Sequence, residues 1–189
     1  TEKTRSSSTI CAIADPIRLA RAIHEARAHH DLVLVSHHGG PLGGESPDDE
    51  QIAVARAAID AGADAVFDHR AHVPFGVGWL SGHPVFYGLG NLVADEDPKD
   101  PWTGRSFLAR IRFSRTGAPG VDACPYLITD GEPKLLSDPG RMTQEGVFRR
   151  AIVRLSEPLG GTEVGDPDPR SCMKLTPAAR PVSDSSAPR

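Results

Sequence analysis

Apolar positions recur along this chain with two different periods. Ile17, Ala20, Ile23 and Ala26 follow one another at helical spacing, behind an Asp15-Pro16 pair that suits an N-cap and first helical position. The spacing predicts a helix over 16–30. Leu32-Val33-Leu34-Val35 is a continuous apolar run of strand length, as expected for a strand covered on both faces. Ser46-Pro47-Asp48-Asp49-Glu50 predicts a second helix start, with a cap, a Pro at the first position and acids at the positive dipole end. Ile52, Ala55, Ile59 and Ala63 mark the buried face of that helix, and Gly62 is placed to end it. Ala65-Val66-Phe67 then reads as a second buried strand. Strand, helix and strand over about 35 residues form a βαβ unit with parallel strands.

Beyond residue 70 the pattern changes. Val77–Leu80, a Ser81-Gly82 turn and Pro84–Tyr87 predict a hairpin. Phe107, Leu108, Ile111 and Phe113 predict a strand over 106–113, and a further strand is expected over 120–129. Residues 142–155 predict a final helix. The opening residues hold one short apolar stretch (Ile10, Ala12, Ile13) that suits a strand. From Glu157 onward Pro, Gly, Ser and Asp dominate, so 157–189 is expected to be a disordered tail behind a folded unit at 1–156.

Composition narrows the function. The 189 residues carry a formal net charge of −4, which argues against a general nucleic-acid binder. No apolar run approaches the roughly 18 residues of a membrane span, and no secretion signal is visible in this stretch. Cys11, Cys124 and Cys172 are odd in number and far apart, with no CxxC pair, and are expected to be isolated thiols. Charge is unevenly spread: residues 31–100 hold three basic and twelve acidic side chains, net −9. All eight histidines lie between residues 24 and 83. An acidic, histidine-rich stretch suits cations better than anionic polymers.

Two histidine clusters follow the two predicted buried strands: Ser36-His37-His38-Gly39-Gly40 and Asp68-His69-Arg70-Ala71-His72. The C-terminal ends of parallel strands line the ligand crevice of an open α/β sheet, and the βαβ unit puts both clusters on that edge. Imidazoles converging there, with Asp as a hard partner, suit Zn, Mn or Fe. Unrelated polar loop residues are the plainer alternative. His24, His29, His30 and His83 fall on a helix, its end and a turn, and are expected to be solvated. Tyr87-Gly88-Leu89-Gly90-Asn91-Leu92 is a tight turn too short for a dinucleotide fingerprint. There is no GxSxG, P-loop or HExxH motif.

Taken as a series, these segments resemble the poly-gamma-glutamate capsule-synthesis (CapA-type) family, a branch of the calcineurin-like metallophosphoesterase fold. That family carries an apolar strand ending in Ser-x-His-Trp-Gly, a helix ending in Ala-Gly-Ala-Asp, then Gly-His-His-Pro-His-Val, then Pro-Ile-x-Tyr-Ser-Leu-Gly-Asn-Phe. Here the order is Ser36–Gly40, Asp60–Asp64, Asp68–Val73 and Pro84–Leu92. The resemblance runs from about Asp15 to Tyr126. It implies the C-terminal part of an α/β sandwich in which His38, His69 and His72 are ligands of a divalent metal (Mn, Fe or Zn). His37, Asp68, Arg70 and Asn91 are expected to act as supporting or substrate-facing residues. The implied substrate is an acidic polymer, poly-gamma-glutamate, or a phosphoester, and the implied location is extracytoplasmic or membrane-associated.

The chain departs from the family at four positions: Gly39 replaces Trp, Asp68 replaces Gly, Arg70 replaces the middle His and Ala71 replaces Pro. The family's upstream Asp and Asn-His ligands have no counterpart, and two metals about 3.5–4 Å apart normally draw on both halves of such a site. The chain therefore resembles a fragment or a degenerate member, expected to leave one sheet edge and part of its core uncovered. Two rival readings stay open: a non-catalytic binding or scaffold module, and an amidohydrolase-like single-metal enzyme recruiting Asp68 or Asp95.

Overall fold

A computed structural model describes residues 16–94, 99–136 and 140–179. The predicted N-terminal strand, the Asp15 cap, Cys11 and Asp95 lie outside the described residues. The elements in order are α1 (Pro16–Arg27), β1 (Leu34–His38), α2 (Asp49–Asp60), β2 (Ala65–His69), β3 (Val77–Leu80), β4 (His83–Phe86), β5 (Arg105–Arg112), β6 (Gly120–Thr129), β7 (Glu132–Leu135), α3 (Arg141–Ser156), a 3-10 turn (Glu157–Leu159), β8 (Thr162–Pro167) and β9 (Met173–Pro177).

The chain builds an α/β fold around two sheets. The first has strand order β1-β2-β4-β3, with β1, β2 and β4 parallel and β3 antiparallel. The βαβ unit and the hairpin are therefore as the pattern predicts. The second sheet runs β5-β6-β9-β8, with β7 also paired to β6. Alternation along the first sheet separates two cores. Val35, Val66 and Val85 face Leu19 and Ile23 of α1 and Val54, Ala58 and Ile59 of α2. Phe67 and Phe86, one position on, face Phe107, Val121, Met173 and Leu175 of the second sheet and Phe148 and Ile152 of α3. Phe67 stacks on Phe86 with ring centroids 5.3 Å apart. Hydrogen bonds tie α3 and β8 to β3: Val77 N–H donates to Ser156 Oγ, and Trp79 Nε1 donates to Thr162 Oγ1.

Several expectations need correction. The first strand is Leu34–His38 rather than 32–35, and it is not covered on both faces. Among the described residues it is the end strand of its sheet, and its side chains alternate exposed and buried, leaving Leu34 52% exposed. The second helix is capped by Asp48, not Ser46. Asp48 accepts from Gln51 N–H, and the Gln51 side chain accepts in return from Asp48 N–H. Gly62 follows the cap at φ +103°, the left-handed conformation that stops the helix.

The segment from 157 to 179 is not disordered. Its Val164, Met173 and Leu175 are buried in the second core, whose apolar area outweighs the Pro- and Gly-rich composition. Residues 180–189 lie outside the described residues. Cys124 and Cys172 are not isolated thiols. Ala123 and Met173 are register partners on β6 and β9, which brings the neighbouring cysteines together as a disulfide across 48 residues of chain. His83 is not merely solvated, since its Nδ1 lies 3.2 Å from the Asp64 carbonyl.

Candidate functional site

The two histidine clusters begin inside the strands and share one edge: Ser36, His37 and His38 close β1, Asp68 and His69 close β2, and Arg70, Ala71 and His72 follow β2 in a loop. Register pairs His37 with Asp68 and His38 with His69. Because successive side chains point to opposite faces, the two pairs separate. His38 and His69 lie on the face shared with Ser36 and Phe67. His37 and Asp68 point the other way, toward α1 and α2.

On that helix-facing side His37 and Asp68 are both buried, and Nδ1 of His37 is hydrogen-bonded to Oδ1 of Asp68. The second oxygen of Asp68 has no hydrogen-bond partner among the described residues. Asp68 thus bonds the imidazole of His37 and not that of its chain neighbour His69. The hydrogen bond to Asp68 pushes the His37 pKa up, against burial. Burial pushes the Asp68 carboxyl up, opposed by the same bond. Glycine is required at position 39, because a Cβ there would sit 2.6 Å from Cε1 of His37. Two departures from the family pattern, Gly39 and Asp68, thus both accommodate the His37 ring. Gly40 (φ +91°) has a similar reason, since its Cβ would meet the buried Gln51 side chain at 2.2 Å. Gln51 Nε2 donates in turn to the Tyr87 carbonyl at 3.2 Å.

On the opposite face Nε2 of His69 is 3.0 Å from Ser36 Oγ. Burial pushes the His69 pKa down, so the ring is neutral at neutral pH, the form that binds metals. His72 sits further along, exposed and in the left-handed region at φ +62°. Its Nδ1 lies 2.7 Å from Oδ1 of Asn91. Asn91 is itself held: its Nδ2 donates to the Thr103 carbonyl at 3.2 Å and its own carbonyl accepts from the Tyr126 hydroxyl. With Nδ2 committed to Thr103, Oδ1 faces His72 as an acceptor. The proton of neutral His72 is then on Nδ1, leaving the Nε2 lone pair open. Arg70, between the two histidines, is exposed, with φ +88°. The loop is pinned at Ala71, whose carbonyl accepts from Gly43 N–H at 2.8 Å.

Among the described residues no three His, Cys, Asp or Glu side chains close on one point. His38 and His69 come together, His72 is presented separately on Asn91, and Asp68 does not join them. Imidazoles are chemically suitable donors for a divalent metal, but among the described residues these three do not converge on a shared point. Sequence reasoning assigned no role to Ser36, Gln51, Thr103 or Tyr126. The spacing of Asp48 and Gln51 carries a capping-box signal, and Ser36 belongs to the Ser-x-His motif. Nothing in the sequence pointed to Thr103 or Tyr126, which reach Asn91 only through the fold.

Residues 2–96 match the sequence model of the family described as bacterial capsule synthesis protein PGA_cap. The chain is 34% identical over 122 residues to the PGA biosynthesis protein CapA of Bacillus subtilis, covering 64% of this chain and 31% of that protein. It is 32% identical over 119 residues to the capsule biosynthesis protein CapA of Bacillus anthracis, covering 62% of this chain and 28% of the other. It is 37% identical over 155 residues to a probable polyglutamine synthesis accessory protein of Mycobacterium tuberculosis, covering 81% of this chain and 40% of that protein. The chain thus spans about a third of the length of these relatives. The ordered histidine edge belongs to the stretch that the family match covers, and the chain is a member of the bacterial capsule synthesis PGA_cap family.

Proposed function

We propose that this chain carries the histidine half of a cation-dependent site in a protein of poly-gamma-glutamate capsule biosynthesis. His38, His69 and His72 are the imidazole ligands, and Mn, Fe or Zn is the metal. Asn91 fixes the tautomer of His72, and Ser36 positions the ring of His69. The observation that carries this reading is the His72–Asn91 hydrogen bond, which points the lone pair of Nε2 outward from a buttressed imidazole. A metal held there would supply positive charge to bind anionic oxygens or to acidify water, as in metallophosphoesterases. The chain's own residues bind and orient. The remaining ligands would come from other parts of a longer protein, in keeping with the third of its relatives' length that this chain spans.

The names of the relatives support poly-gamma-glutamate as the substrate or cargo, with a phosphoester as the alternative. The Cys124–Cys172 disulfide supports an oxidising, extracytoplasmic setting. Among the described residues no helix is long and apolar enough to cross a membrane.

A second reading, a non-catalytic binding or scaffold module, is favoured by one observation: no three donors close on a point among the described residues. The single-metal reading through Asp68 has less support, because that carboxylate faces the helices with His37. The discriminating experiment is calorimetric titration of the metal-free chain with Mn²⁺ and Zn²⁺. Loss of affinity in His38→Ala, His69→Ala and His72→Ala, with His24→Ala unaffected, is the expected result. Equal retention by all four variants would remove the metal site and leave the binding module.

A further inference from the structure

We infer that Arg70 is an anion-binding residue that takes a carboxylate of an acidic ligand at the histidine edge. This rests on the reading that the shared ends of β1 and β2 are the functional site, but not on metal binding.

The first argument is strain. Arg70 and His72 are two of the five non-glycine residues with positive φ among the described residues, at +88° and +62°. They lie two positions apart in one loop. An L side chain in this region raises the energy of the folded state, and such residues persist where function requires them. At φ +88° glycine would be the unstrained choice. The arginine side chain therefore carries a backbone cost that glycine would not.

The second argument is the absence of an internal partner. Arg27, Arg110, Arg112, Arg141, Arg149 and Arg154 each meet a carboxylate of the same chain. Among the described residues Arg70 has no hydrogen bond or ion pair. Other exposed arginines such as Arg18 and Arg115 also lack a carboxylate partner among the described residues, and Arg70 differs from them in its positive φ. A guanidinium presents two parallel N–H donors that match a carboxylate, and the contact is shorter and stronger than a neutral hydrogen bond.

The third argument is position. Arg70 directly follows His69 at the C-terminal end of a parallel strand, where ligands of open α/β sheets bind. Its loop does not drift, because Ala71 is buried and bonded to Gly43 on one side, and His72 is bonded to Asn91 on the other. Arg70 is thus an exposed cation between His69 and His72 in the chain, in a loop held at Ala71 and at His72. A polymer bearing one carboxylate per residue offers groups of this kind repeatedly. Phosphate offers a similar pair of oxygens.

The test uses the full 189-residue chain and two probes, gamma-linked tetraglutamate and inorganic phosphate, titrated by NMR or calorimetry. Arg70→Gly is expected to melt at a higher temperature than the wild type while binding tetraglutamate at least tenfold more weakly. Arg70→Lys is expected to recover only part of that loss, because an ammonium lacks the paired donors. Phosphate binding with the same dependence on Arg70, and tighter than tetraglutamate, supports the anion role and identifies a phosphoryl group as its target. Unchanged tetraglutamate affinity in Arg70→Gly overturns the inference, as does a wild-type chain that binds neither probe. The metal titration above separates the two readings: Mn²⁺ binding that survives such a result leaves the metal site standing and removes Arg70.

Discussion

Nδ1 of His37 meets the carboxylate of Asp68 on the helix-facing side of the sheet, one residue before His38 and His69 on the same two strands. The pair is shut away from solvent and stitches the ends of β1 and β2 together. Removing one partner leaves the other polar and buried. Asp68→Ala is therefore expected to cost about 3 kcal/mol of stability, read from the midpoint of urea unfolding. His37→Ala combined with Asp68→Ala should cost clearly less than the two single changes added together. Strict additivity would show that the two side chains do not act as a unit.

Asn91 is the only described residue that bonds the His72 ring. Asn91→Ala should lower affinity for Mn²⁺ or Zn²⁺ by about tenfold or more, as loss of an orienting partner does. The fold should survive, because Asn91 is half-exposed and its backbone carbonyl still accepts from Tyr126. Far-UV circular dichroism would check that point. Unaltered metal affinity would show that the His72 tautomer does not matter.

Acid should unfold the second sheet through Asp122. Burial raises the pKa of this carboxyl, but hydrogen bonds from Arg112 and Arg110 outweigh that and hold it below the ordinary range. A depressed carboxylate contributes stability above its unfolded pKa of about 3.9, and loses it as pH falls through the lower folded value. Asp168 shifts in the same direction, chiefly because it accepts from Cys172 N–H. Melting temperature should therefore hold steady down to about pH 4 and fall below it. Asp122→Asn should start lower and respond less to acid. An identical acid slope in the variant would assign the transition to other groups.

Reduction of Cys124–Cys172 should destabilise the chain by about 2–4 kcal/mol, since the bond closes a long loop. Thermal melts with and without reductant would measure this. The Cys124→Ser, Cys172→Ser double variant should match the reduced protein and no longer respond to reductant.

Much of the helix and strand order was legible because each segment's periodicity matched the environment it met. The βαβ unit, the 77–86 hairpin and the strand over 120–129 carry strong apolar patterns bounded by turn residues. Failures came where partners distant in sequence decide the outcome. Residues 162–177 read as a tail, yet Val164, Met173 and Leu175 pack on β6 and α3. The apolar run before His37 suggested a doubly covered strand, yet β1 alternates exposed and buried side chains, with Leu34 exposed.

The residues alone establish the α/β class, the common edge that carries His37, His38, Asp68 and His69, and the family resemblance. Local periodicity and motif order are properties of the chain itself. Tertiary structure decided how that edge is divided: strand register and the alternation of side chains send His38 and His69 to one face, and His37 with Asp68 to the other. It also decided what buttresses His72, because Asn91 is aimed by Thr103 and Tyr126, which reach it across the fold. Hydrogen bonds between residues far apart in sequence leave no periodic trace, so the supports of the site appear only once the chain is packed.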